Sequence, residues 1–389
     1  MTLATYRFPT LIHAGPNARA RLPDALLSRG LRRPLIVTDR GVAALPLLGQ
    51  VRGVLEAAGL QVSVFAQIAG NPVTSQVLAG VACYRDVDAD AIVALGGGAA
   101  LDVAKCLGLL VHHPGDLFDY EDELPGGRPM DRPMPCLLAL PTTAGTGSEV
   151  GCSAVIADDH THVKKIIFGT PLLPVAVFAD AELTVGLPAA ITAATGLDAL
   201  THLIEAYLAK NYQPMCDGIA LEGLRLVRDH LPQAVDFATR GEGPSAAHLA
   251  ARAGMLDAAM MGAVAFQKGL GVCHACAHAL SAVCDLHHGL ANGILLDHAL
   301  AFNAEVAEGR FVTMAKTLEL SDATSGGFLS WLTALKSRLG IPATLSQVGV
   351  REEHVGALVD CAVADPCHKN NPREVSRQDF ALIFRRGLS

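Results

Sequence analysis

Apolar residues that run consecutively, rather than alternating with polar ones, set the tightest limit on how this chain folds. Pro34-Leu-Ile-Val-Thr38, Gln61-Val-Ser-Val-Phe65, Ala91-Ile-Val-Ala-Leu95 and Cys136-Leu-Leu-Ala-Leu140 punctuate its first half. A strand with one face in water alternates apolar and polar residues. A run that is apolar throughout expects cover on both faces, which is the setting of a parallel sheet. Helical stretches at residues 73–84 and 101–110 lie between these runs. The strand–helix–strand rhythm predicts a mostly parallel, doubly wound sheet. From Leu187-Pro188 onward the pattern changes to long Ala/Leu-rich helical segments with no convincing strand, and Pro188 suits a first helical turn. The reading is an α/β domain over residues 1–187 and an all-α domain over residues 188–389. At 51% hydrophobic and 17% charged, the chain has apolar material for two filled cores.

The same composition narrows the function. A net charge of −8 without a Lys/Arg cluster argues against nucleic acid as a partner. The opening Met1-Thr-Leu-Ala-Thr-Tyr-Arg-Phe-Pro9 lacks a basic-then-apolar leader pattern, and no run of 18 uncharged apolar residues suggests a membrane span. The expectation is a cytoplasmic protein with no membrane partner. In that setting ten cysteines read as reduced, buried small residues. Cys273-His-Ala-Cys276 has the spacing of a zinc knuckle but no second pair to complete one.

Two loops point to a nucleotide. Gly96-Gly-Gly98 follows the third apolar run and opens a helix, so backbone amides and the positive helix end are available to a phosphate. It is not the G-x-G-x-x-G pattern. Pro141-Thr-Thr-Ala-Gly-Thr-Gly-Ser-Glu149 follows the fourth run with hydroxyls at Thr142, Thr143, Thr146 and Ser148. Asp39, at the end of the first run, is placed to accept from an adenosine ribose and to repel a 2′-phosphate, which favours NAD over NADP.

A metal is indicated separately. Asp198 and His202 are four residues apart and share a helix face, as do His274 and His278. His288 lies 14 residues beyond His274, about 21 Å along a straight helix. It reaches the same ion only if the chain turns back, and Asp285 and Gly289 make a turn plausible. One carboxylate with imidazoles accepts Fe(II), Zn(II), Mn(II) or Co(II). His160, His287 and His298 read as ordinary core or surface residues.

With these pieces assembled, the chain resembles the iron-containing (group III) alcohol dehydrogenase family. The resemblance rests on Gly96-Gly-Gly-Ala-Ala-Leu-Asp-Val-Ala-Lys105, on the threonine loop 141–149, on Thr195-Gly-Leu-Asp-Ala-Leu-Thr-His-Leu-Ile-Glu-Ala206, and on the His274…His278…His288-Gly block. These motifs run in order over almost the whole chain. The resemblance implies a dinucleotide-binding N-terminal domain and a helical metal-binding C-terminal domain, an architecture shared with dehydroquinate synthase. It implies Asp198, His202, His274 and His288 as ligands of one divalent metal, Fe(II) first and Zn(II) or Mn(II) next. It implies His278 as a catalytic neighbour of the metal. It also implies Asp39, Asn71, Gly97, Gly98, Asp102, Thr142, Thr143, Thr146 and Lys165 on the NAD side, with Lys164 as the rival of Lys165, and a homodimer or larger homo-oligomer.

Two departures stand out. The family's serine after the three glycines is Ala99, and the usual His-Pro-Leu-Gly is His278-Ala-Leu-Ser281. Ala265-Phe-Gln-Lys-Gly-Leu-Gly271, Cys367-His-Lys-Asn-Asn-Pro-Arg373 and Asp217-Gly-Ile-Ala-Leu-Glu-Gly-Leu224 are similar to a subgroup acting on 4-hydroxybutyrate. There Lys268, Lys369 or His368 are the candidate partners of a substrate carboxylate. The expected activity is metal-dependent, NAD-linked interconversion of a primary alcohol and its aldehyde by hydride transfer. The alternatives are a short-chain alcohol dehydrogenase without carboxylate preference, a lyase or cyclase of the dehydroquinate synthase type, and a non-catalytic nucleotide or metal sensor.

Overall fold

A computed structural model describes residues 6–8, 10–122, 124–161 and 163–389. These residues form two compact units. One comprises Phe8–Thr143 and Gly147–Val185. The other comprises Ala144–Thr146 and Gly186–Ser389, joined by residues 6 and 7. The short loop 144–146, read from sequence as part of the first domain, therefore belongs with the helices.

The first unit is built on a six-stranded parallel sheet. In chain order its main elements are β1 Leu11–Ala14, α1 Leu22–Leu27, β2 Pro34–Asp39, α2 Arg40–Ala43, α3 Pro46–Ala57, β3 Ser63–Ile68, α4 Thr74–Asp86, β4 Ala91–Gly96, α5 Gly98–His112 and β5 Cys136–Pro141. An antiparallel hairpin, β6 Ser153–Ala157 and β7 Lys164–Phe168, precedes β8 Ala176–Ala179. The consecutive apolar runs account for β2, β4 and β5, whose residues are buried almost throughout. β3 starts two residues later than the run at Gln61 suggests, because pairing with β2 begins at Leu35 opposite Ser63.

The strand order is β1-β8-β5-β4-β2-β3. The chain moves outward from β2 to β3, then crosses back over β2 to β4 and continues the other way. The winding thus reverses between β2 and β4. In open α/β sheets the carboxyl ends of the strands at such a reversal are where ligands bind.

Among the described residues the second unit carries no strand. Its helices are α6 Ala189–Leu208, α7 Pro214–Arg240, α8 Ala246–Ala265, α9 Val272–Cys284, α10 His288–Thr317, α11 Ser325–Arg338, α12 Val355–Ala364 and α13 Arg377–Leu388. α6 is central: from Thr192 to Leu208 every residue but Thr195 is buried. Gly196 and Gly223 permit this, since a Cβ at either would strike Leu231 or Leu203. Residues Ala246–Lys268 are long and apolar enough to cross a membrane. That apolarity serves the helical core, where Ala251, Met255, Ala258 and Ala259 are sealed from water. α9 ends where Asp285 adopts a left-handed φ of 50°, and the chain reverses into α10 at His288.

Candidate functional site

In the α/β unit, the ends of β2, β4 and β5 carry the residues that the sequence assigns to the nucleotide. Asp39 caps α2 by accepting from the Val42 amide at 2.9 Å, and its second oxygen lies beside Gly96. Gly96 has φ +156°, and a Cβ there would lie 2.6 Å from that of Ala100. Gly97 is the N-cap of the 15-residue α5 and Gly98 its first residue, so the free amides of a long helix begin at the strand end. The Thr142 amide donates to the Gly96 carbonyl at 3.0 Å, and the Thr143 side chain fills the space a Cβ on Gly97 would need. Asn71 is exposed, just past β3. Thr146 is half-buried and belongs to the helical unit.

Two residues expected on the cofactor have other occupations. Asp102 accepts from Ser148 Oγ at 2.6 Å and from the Val155 amide at 2.9 Å, so both its oxygens tie α5 to the loop and hairpin that follow β5. Lys165 pairs with Glu121 at 2.7 Å and lies over the Phe118 ring. Neighbouring strand residues point to opposite faces, and of these two lysines it is Lys164 whose charge, after that of Lys105, acts on Asp102.

Lys105, one turn beyond Asp102, was not singled out from sequence. It is 1% exposed. Its ammonium donates to the carbonyls of Ser148, Gly151 and Ser153 and to Ser148 Oγ, all at 2.7–2.9 Å. Nearby, burial pushes the Glu149 carboxyl up to about 7, with Lys105 opposing.

In the helical unit, α6, α9 and α10 bring Asp198, His274 and His288 together. Their donor atoms all lie within 4.8 Å of one another. Asp198 Oδ1 is 3.8 Å from His274 Nε2 and 3.3 Å from His288 Nε2. One amide nitrogen, Asn292 Nδ2, meets all three, at 2.8 Å from Asp198, 3.4 Å from His274 and 3.2 Å from His288. Burial alone would raise the Asp198 pKa, but His202, His288, His274 and Asn292 together hold it at about 2. An ionised carboxylate and two imidazole nitrogens converging on one electropositive group is a donor set that fits a divalent cation.

His202, the fourth expected ligand, lies beside this triangle and adds no donor atom to it. Its ring stacks on His274 at 4.5 Å and tilts against Phe266 at 5.0 Å. Burial lowers its pKa to about 4, so the ring is neutral at neutral pH. Its Nδ1 is buried with no hydrogen-bond partner of ordinary geometry among the described residues. His278 stacks on His288 at 5.1 Å and holds Asp365 Oδ2 at 2.7 Å through Nδ1.

Three further residues of this site went unremarked in the sequence. Glu205 had a readable signal, since 198, 202 and 205 lie on one helix face. So did Asn292, one turn beyond His288. Asp365 lies 87 residues from His278, and local spacing cannot reveal such a pair.

Two of the three basic residues proposed for a substrate carboxylate are engaged within the protein. Lys268 is fully buried, bonded to the Tyr207 carbonyl and ion-paired with Asp217. His368 bonds the Val363 carbonyl at 3.2 Å and sits edge-on to Phe380. Lys369 is exposed.

The approach of α10 to α6 depends on Gly289, where a Cβ would lie 2.4 Å from the Ala194 carbonyl oxygen. Gly289→Ala is therefore expected to push His288 away from Asp198. A loss of about 1–3 kcal/mol in a denaturant titration, with less metal retained after dialysis, is the expected result.

Comparison with known proteins gives the family. The family model described as iron-containing alcohol dehydrogenase matches residues 9–181, and that of the family's C-terminal domain matches residues 192–388. The 4-hydroxybutyrate dehydrogenase of Cupriavidus necator is 37% identical, over 99% of this chain and all of its own length. A solved 1,3-propanediol oxidoreductase superposes with a TM-score of 0.92 at 33% identity, each chain covered in full. The sulfoacetaldehyde reductase of Bifidobacterium kashiwanohense, solved with NAD+, gives 0.89 at 29% identity, again over both full chains. The chain belongs to the iron-containing alcohol dehydrogenase family and is an oxidoreductase of that kind.

Proposed function

We propose that the protein interconverts a primary alcohol and its aldehyde with NAD and one divalent metal, Fe(II) before Zn(II) or Mn(II). The observation that carries this reading is the convergence of Asp198, His274 and His288 on one point. A metal held there supplies Lewis acidity to the substrate oxygen, and NAD accepts the hydride. Gly97, Gly98 and the α5 amides hold the cofactor's phosphates, and Asp39 takes the adenosine ribose. Asp365 accepts from His278 Nδ1, which leaves Nε2 of that ring free to take the hydroxyl proton. Family membership disfavours the lyase or cyclase reading.

The leading substrate is 4-hydroxybutyrate, on the strength of the Cupriavidus necator relative. The placement of Lys268 and His368 favours a second reading, a short-chain alcohol dehydrogenase indifferent to a carboxylate. NADH formation at 340 nm by metal-reconstituted protein, with 4-hydroxybutyrate against 1-butanol, decides between them. A higher kcat/KM for the hydroxy acid is expected, and equal values remove the carboxylate assignment.

A further inference from the structure

Glu205 is a buried carboxylate that the proposed chemistry leaves unused. It sits on α6 at 2% exposure, one turn beyond His202. Four N–H groups converge on it. Its oxygens accept from the amides of Gly271 at 3.0 Å, Cys273 at 2.7 Å and His274 at 3.3 Å. The fourth contact is His274 Nδ1 at 2.7 Å. The three amides belong to the first turn of α9 and its cap, where backbone donors have no partner within the helix. Gly271 makes the approach possible, since a Cβ there would lie 2.7 Å from Glu205 Oε1.

With its oxygens engaged by amide donors, Glu205 faces the His274 ring as an acceptor. The ring proton therefore resides on Nδ1. The Nε2 lone pair is left bare and aimed at the point it shares with Asp198 and His288. Asn292 Nδ2, a donor, lies 3.4 Å from that same Nε2. A carboxylate behind an imidazole fixes its tautomer and rotation and strengthens it as a donor.

We propose that Glu205 is the positioning residue of the metal site: it sets His274 as an Nε2 donor and at the same time anchors the helix that carries it. The inference rests on the metal reading above. Glu205→Gln is nearly isosteric and keeps an acceptor for the α9 amides, but it removes the anion behind His274. Co(II), added to metal-stripped full-length protein, serves as the probe. Its dissociation constant is read by chelator competition and its geometry by the visible absorption band.

Glu205→Gln is expected to weaken Co(II) binding about 10- to 100-fold and to shift the band, in a protein that still unfolds cooperatively. Should Glu205→Gln fail to fold, Glu205→Asp carries the test. It keeps the anion at the helix end but draws it back from Nδ1, and the same weakening is expected. Co(II) bound as tightly as by the wild type, in whichever variant folds, overturns the role even if the unfolding temperature falls. Failure of the wild-type chain to bind Co(II) overturns the metal site itself, and this proposal with it.

Discussion

His274→Ala is expected to lose bound metal and dehydrogenase activity together, with kcat/KM down by about a thousandfold or more. The size follows from what the metal contributes. Lewis-acid stabilisation of a developing charge amounts to several kcal/mol, and each 1.36 kcal/mol is a factor of ten in rate. His274 is the ligand to remove because it is 1% exposed, with Glu205 behind it and Asp198 in front. The fold is expected to persist, since Glu205 still accepts from the amides that begin α9. Metal content by elemental analysis and NADH formation at 340 nm are the two readouts. Undiminished turnover by protein shown to be free of metal would overturn the mechanism.

Lys105→Met is expected to be as damaging by another route. The substitution roughly preserves volume and removes a buried ammonium. Three backbone carbonyls, of Ser148, Gly151 and Ser153, lose a donor at once. Asp102, whose pKa burial pushes upward, loses the cation that opposes the shift. Each buried acceptor left without its donor costs about 1–3 kcal/mol, so several kcal/mol in all are at stake. A urea titration is expected to show a loss of that order. The loop after β5 is expected to loosen, so the KM for NAD should rise more than that for the alcohol. A loss below about 1 kcal/mol would show that the loop holds itself.

Much of this architecture was legible because its signals are local. Consecutive apolar residues marked β2, β4 and β5 without help from tertiary structure. The four-residue β1 and β8 were missed because so short a strand carries too little pattern to outweigh its flanks, and β1 runs along the sheet's edge with Leu11 exposed. At the candidate metal site, spacing along α6 nominated Asp198 and His202 equally. In the folded chain Asp198 joins His274 and His288 within 4.8 Å while His202 stacks on His274, and both are relations among helices distant in sequence. Lys268 misled for a similar reason: a lysine just before Gly269 and Gly271 reads as exposed until Asp217, on another helix, is seen to pair with it in the interior. Glu205 and Lys105 were readable as polar residues one turn beyond recognised ones. What they do depends on backbone groups that gather only in the folded chain.

The loop Ala144–Thr146 carries a consequence for how the protein comes to exist. Gly145 lies against Thr195 so closely that a Cβ would come within 2.9 Å of it. Yet this piece of the helical unit leaves the ribosome some forty residues before α6 begins. The helical unit is therefore not encoded as one uninterrupted stretch of the chain. A fragment starting at residue 186 lacks residues 144–146 as well as residues 6 and 7, all of which cluster with the helical unit.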